Sequence, residues 1–241
     1  MKFIMILLPV LLTGCAARPV PPGGGGSLLS GVETQVAAVT RQAMDGDPGA
    51  RVLYARWLAD TGSTAQAREV LSPLADQGDR EAQYRLGCLL MADRTPDSRR
   101  QAVDRMTRAA TAGLAVAQRT LGDWLLNGSA GTRDPAAALV WYRKAAEQGN
   151  ALAALNTGNA YWTGSGVRAN AGVAMAWYVL AEHNARPAES AVRRLAQQMR
   201  VRAMMLSAKQ GRLSAARALA EQYLRRYGRP GVPVTPLPGG A

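Results

Sequence analysis

The chain has 241 residues, a formal net charge of +12, one histidine, two cysteines and one phenylalanine. So few histidines and cysteines exclude a His/Cys metal cluster and a disulfide-built scaffold. Abundant Ala, Leu, Arg and Gln with sparse β-branched residues favour an all-α chain.

Residues 1–14 read as a signal peptide: Lys2 supplies a charge, and Phe3 to Leu12 supply an apolar core. As a helix that core spans about 15 Å, roughly half a bilayer, so it is not a transmembrane segment. It ends in Leu12-Thr13-Gly14-Cys15, which resembles the bacterial lipobox. The resemblance implies cleavage before Cys15 and lipid attachment to its thiol, with acyl chains such as palmitate anchoring the chain in a membrane. Residues 15–27 continue with Pro19, Pro21, Pro22 and Gly23 to Gly26, a composition that forms a tether and cannot pack a core. Ala16 stands where many bacteria read aspartate as an inner-membrane signal, so the expected location is the outer membrane, facing the periplasm.

Beyond the tether, Ser30-x-x-Glu33 forms a capping box for a helix ending before Gly46. Small anchors then recur in Leu86-Gly87, Leu121-Gly122 and Thr157-Gly158, at spacings of 35 and 36 residues. Helix-ending glycines keep step at Gly78, Gly113 and Gly149. Ala55 and Gly46 stand 32 residues before Gly87 and Gly78, so a shorter unit precedes. Within the Gly122 unit, Ala117, Leu121, Trp124 and Leu125 show helical spacing from about Ala115 to Leu126. Gly128 and Gly131 break that helix. Asp134 caps the next one, Pro135 opens it, and Gly149 ends it after Gln148. One such pair cannot bury its apolar faces, so pairs must stack.

These units resemble the Sel1-like repeats, relatives of the tetratricopeptide repeats. The Gly158 unit carries Gly158, Tyr161, Gly164-Ser165-Gly166-Val167, Ala174, Trp177-Tyr178 and Ala181. The Gly122 unit carries Gly122, Gly128, Asp134, Ala138, Trp141-Tyr142, Ala145-Ala146 and Gly149. The Gly87 unit keeps Gly87, Ala102, Ala109-Ala110 and Gly113, but has Arg105-Met106 at the aromatic pair. The Ala55 unit looks more like a plain tetratricopeptide repeat. The resemblance implies an all-α solenoid of stacked antiparallel helix pairs over residues 28–185, including the N-terminal cap helix. It also places Arg56, Cys88, Asp123 and Asn159 along an inner face, flanked by Val52, Tyr84, Arg119 and Leu155. Related solenoids bind peptides or proteins on such rows. Arg56, Tyr84, Arg119, Asp123 and Asn159 are therefore candidate partner-binding residues. Cys88 has two readings, partial burial or a thiol on the inner face. If Cys15 is lipidated, Cys88 has no partner in the chain.

Residues 186–228 read as a basic helical hairpin, with Pro187 to Lys209 as one long helix, Gly211 turning it and Leu213 to Tyr227 packing back. The charge concentrates here: Arg186 to Arg229 hold 11 basic and 2 acidic residues, whereas Ser27 to Ala185 hold 16 and 15. Arg193, Arg194, Arg200 and Arg202 form a candidate docking face for lipid headgroups, an anionic polymer or an acidic partner. Nucleic acid is not an expected partner for a periplasmic chain. Residues 229–241, with four prolines from Pro230 to Pro238, read as a disordered tail.

No catalytic constellation, metal site or cofactor motif is readable. Asp134, Glu147 and Glu182 fall at helix ends. Ser165 sits between glycines, but no strand precedes it to form a nucleophile elbow. His183 reads as a helix-end contact, and Trp141, Tyr142, Trp177 and Tyr178 as packing. The expected function is a membrane-anchored scaffold or adaptor for other proteins in an envelope assembly such as secretion, conjugation or polysaccharide export. The alternative is binding of an acidic polymer, such as an exopolysaccharide or cell-wall component. The repeat register makes Gly158→Leu destabilising and Asn159→Ala nearly neutral.

Overall fold

A computed structural model describes residues 37–232. The signal peptide, Cys15, the tether, the Ser30–Glu33 capping box and the tail from residue 233 lie outside the described residues. Every element among the described residues is helical, and the chain divides into two compact units, one ending at Ala109 and one beginning at Ala110.

The first unit holds α1 (37–44), α2 (Pro48–Asp60), α3 (Thr64–Asp76), α4 (Arg80–Ala92) and most of α5 (Pro96–Thr111). Asp47 and Asp79 start α2 and α4 by accepting bonds from the N–H groups of Ala50 and Ala82. Each such cap satisfies one orphan donor of a first turn and contributes about 1 kcal/mol. Val52, Ala55, Leu58, Leu71, Leu74, Ala82 and Leu86 form the core of α2, α3 and α4. Gly87 lets α5 approach α4: a Cβ there would lie 3.1 Å from the carbonyl oxygen of Ala102.

The second unit continues with α6 (Ala115–Asn127), α7 (Pro135–Glu147), α8 (Ala151–Thr163) and α9 (Ala171–Asn184). Each of these helices packs on the next in the chain. Asp134 caps α7 through Ala137 N–H at 2.9 Å, as its sequence position implies. Asn150 and Asn170 do the same for α8 and α9. Alanines make close packing possible: Ala138, Ala145, Ala146, Ala153, Ala154, Ala174 and Ala181 have no exposed surface.

A short 3₁₀ turn (Pro187–Glu189) separates α9 from α10 (Ser190–Lys209), and α11 (Leu213–Tyr227) follows. The long helix expected from Pro187 thus starts at Ser190. The Glu189 carboxylate turns back to accept the Arg186 N–H at 2.9 Å, which holds the turn apart from the helix. Both α10 and α11 lie chiefly on α9, not on each other. That explains a helix that is apolar all round: Met175, Trp177, Tyr178 and Leu180 are at most 1% exposed. Tyr223 of α11 stands 4.7 Å from Trp177, ring centre to ring centre. Arg229, assigned to the tail, is held against α9: its N–H donates to Asn184 Oδ1 at 2.8 Å, and its carbonyl oxygen is 3.3 Å from His183 Nε2. No helix among the described residues is long and apolar enough to cross a membrane.

The Gly164–Val167 loop ties two repeats together. Gly164 ends α8 in the left-handed conformation, and Gly166 follows with φ +73. A Cβ on Gly166 would lie 2.5 Å from the carbonyl carbon and oxygen of Pro135. The loop therefore lies directly on the start of α7, and only glycine fits there.

Candidate functional site

The anchor glycines organise a polar row on α6 and α8. Gly122 and Gly158 have no side chain, so a tyrosine from the following helix lies flat over each. Cβ atoms there would be 2.7 Å from Tyr142 Cε1 and 2.6 Å from Tyr178 Cε1. That places each tyrosine hydroxyl beside the residue after the glycine. Tyr142 donates to Asp123 Oδ1 at 2.8 Å, and Tyr178 donates to Asn159 Oδ1 at 2.9 Å. In the Gly87 unit the corresponding residues are Cys88 and Met106. Where the repeat loses the hydroxyl it also loses the acceptor.

Asp123 collects three donors. Besides Tyr142, its carboxylate takes Asn156 Nδ2 at 3.3 Å and the guanidinium of Arg119. The Arg119 side chain is 7% exposed and that of Asp123 17%. Burial raises the Asp123 carboxyl above its ordinary 3.8, outweighing the opposing pull of Arg119 and Tyr142. Burial, then the neighbouring Asp123 charge, pushes the Tyr142 hydroxyl up. Burial alone pushes Tyr178 up. Neither tyrosine can act as a base at neutral pH. What the cluster supplies is a fixed set of hydrogen-bonding groups on half-exposed Asp123, Asn156 and Asn159.

The other candidate residues fall in different places. Arg56 is exposed, 3.7 Å from Asp60 on its own helix. Tyr84 is buried, so in the first unit its ring is packing and not an offered surface. Arg119 is buried as well, and its role is to hold Asp123. Asn159→Ala is not the neutral change that the repeat register implies, because it would strip the partner from a buried tyrosine hydroxyl. Cys88 is half-buried.

The four arginines of α10 do not share one face. Arg200 pairs with Glu182 of α9 at 2.9 Å, and Arg193 donates to the carbonyl oxygen of Ala185. Both therefore bind the chain itself. Arg194 and Arg202 point outward and are exposed. Positions seven apart lie nearly in line on a helix, as Arg193 and Arg200 do, whereas Arg194 and Arg202 are rotated well away from them. Sequence reasoning also missed Asn156, which carries no motif. The pairing of Tyr with Asp or Asn 19 residues earlier, against Met106 with Cys88, was the available signal.

Comparison with known proteins follows this geometry. The Sel1 repeat family matches residues 80–114, 115–150 and 151–182, so these residues form three Sel1 repeats. The matches fall in turn on the helix pairs α4–α5, α6–α7 and α8–α9, the last stopping two residues before the end of α9. Among solved structures, the chain is similar to a protective antigen present in uropathogenic Escherichia coli strains and displaying an SLR fold. The identity is 28% and the TM-score 0.65, over 80% of this chain and 41% of the antigen. The chain thus spans about two fifths of that protein's length. A Sel1 repeat protein from Oxalobacter formigenes is 30% identical over 47% of this chain and 87% of its own, with a TM-score of 0.43. Comparison with curated proteins gives no match. The fold class is thus the all-α, stacked-pair class of the Sel1-like solenoids. Sel1 repeats generally mediate protein–protein interaction, and their fold is typically a non-catalytic scaffold.

Proposed function

We propose that this chain is a lipid-anchored periplasmic scaffold or adaptor that holds protein partners in a cell-envelope assembly. The observation that carries the binding role is the polar row Asp123, Asn156 and Asn159. Asp123 and Asn159 hold equivalent places on α6 and α8, each receiving the hydroxyl of a buried tyrosine, and Asn156 donates to Asp123. A peptide main chain presents alternating N–H and C=O groups, and asparagine can answer both. Orientation by Tyr142 and Tyr178 lowers the entropy cost of fixing those side chains on binding. The lipobox-like Leu12-Thr13-Gly14-Cys15, followed by a Pro/Gly tether, supports the anchor and the envelope location.

A photo-crosslinking residue at position 159, incorporated in living cells, tests the binding role. The expected result is a discrete protein adduct from position 159 that Asn156→Ala abolishes, with none from exposed position 108. Equal adducts from 108 and 159, or none from 159, count against the row as the binding site.

A further inference from the structure

The outward face of α10 is both basic and apolar. Met205 is 64% exposed, Leu206 37% and Val201 36%, large values for apolar side chains in a folded helix. Arg194, Arg202 and Lys209 are exposed beside them. At 100° per residue, Arg194, Val201, Arg202, Met205 and Lys209 fall within about 100° of the helix circumference. Leu206 lies just beyond. The opposite side, with Ala196, Ala203 and Ser207, is buried against the rest of the unit. The surface therefore interleaves apolar groups with cations.

We propose that this face of α10 docks on an anionic phospholipid surface, with Val201, Met205 and Leu206 entering the headgroup boundary and Arg194, Arg202 and Lys209 meeting phosphates. Charge complementarity selects an acidic occupant, because Arg186 to Arg229 carry 11 cations against 2 acids. The apolar members select lipid over a soluble polyanion. A polysaccharide offers nothing for Met205 and Val201 to enter, whereas the acyl boundary of a bilayer does. Long arginine and lysine stems lie along apolar surface while their heads stay in the polar layer, which suits this mixture. The contact is peripheral, since no helix among the described residues spans a membrane. Arg193 and Arg200 take no part, because both are engaged with α9 and the residue that follows it. The proposal stands whether or not Cys15 is lipidated.

The test is oxidation of individual methionines in the full chain by dilute peroxide, read by mass spectrometry. The chain is exposed to phosphatidylglycerol vesicles, to phosphatidylcholine vesicles, or to soluble polygalacturonate. Met44, 77% exposed and in the first unit, serves as the internal control. Phosphatidylglycerol vesicles should slow Met205 oxidation several-fold and leave Met44 unchanged, and phosphatidylcholine vesicles should protect neither. Each cation near such a surface raises affinity about fivefold, so Arg194→Glu, Arg202→Glu and Lys209→Glu together should weaken docking by more than about a hundredfold. Reversal of Arg193 and Arg200, two cations against the outward three, serves as a comparison on the same helix. If it abolishes protection as fully as the outward set does, with helicity unchanged, the assignment of the face is wrong. Equal Met205 oxidation in all three conditions overturns the proposal, and protection by polygalacturonate but not by vesicles assigns the face to an acidic polymer.

Discussion

Gly158→Ala adds one methyl group where the structure has no room for it. The new Cβ would lie 2.6 Å from Tyr178 Cε1, 2.7 Å from Cδ1 and 3.2 Å from Cζ. Tyr178 has no exposed surface, so its ring cannot swing into solvent. Replacing glycine by alanine inside a helix would by itself stabilise by about 1 kcal/mol. Overpacking of a close contact costs about 1–3 kcal/mol. Displacing the ring also strains the 2.9 Å bond from Tyr178 to Asn159, whose loss with a buried hydroxyl left over costs about 1–3 kcal/mol. The balance is a net loss of about 1–5 kcal/mol. For a chain of this size that corresponds to a fall in Tm of about 2–4 °C per kcal/mol. Thermal melts followed by circular dichroism would read it, with broadening expected if the damage stays within the Gly158 repeat. A double-mutant cycle isolates the cause. Tyr178→Met imitates the Gly87 repeat, where Met106 stands in for the tyrosine, and it should make Gly158→Ala much less costly than in the wild type. A Tm that rises on Gly158→Ala, or costs that simply add in the double mutant, would refute the reasoning.

Further outcomes follow from the loop, the buried carboxylate and Cys15. Gly166→Ala combines φ +73 with a 2.5 Å approach to the Pro135 carbonyl, so it should destabilise by more than the roughly 1–2 kcal/mol of a left-handed alanine. Hydrogen exchange should show the loss first in the opening turn of α7. Asp123 should titrate above the ordinary 3.8 and Asp93 below it, the latter because of its hydrogen bond from Arg68. For Asp123 the folded state holds the proton more tightly than the unfolded chain, so its contribution to stability falls as pH rises from 3.8 through its folded value. For Asp93 the sign reverses, and its contribution is lost as pH falls below 3.8; carboxyl-carbon NMR titration reads both. A labelled fatty acid should mark the wild type and not Cys15→Ser. Equal partition of wild type and Cys15→Ser into soluble periplasm would contradict the anchor.

Repeat identity and register were legible in the sequence because they depend on local chemistry. Glycine at a helix end, Asp134 before Pro135, and alanine wherever two helices nearly touch are single-residue constraints that recur every 35 or 36 positions. The repeated Trp-Tyr pair marked a packing position for the same reason. What each polar side chain does once packed was not legible. Arg119 and Asn159 look like surface residues in the sequence, yet one guanidinium is buried against Asp123 and one amide receives Tyr178. Their fate depends on a tyrosine 19 or more residues away that reaches them only because Gly122 and Gly158 have no side chain. Charge behaved likewise. Net charge is additive along a chain, so composition located the basic segment correctly. Which arginines are on offer depends on the angle at which α10 meets α9. Tertiary packing alone engaged Arg193 with Ala185 and Arg200 with Glu182 and left Arg194, Arg202 and Met205 facing out.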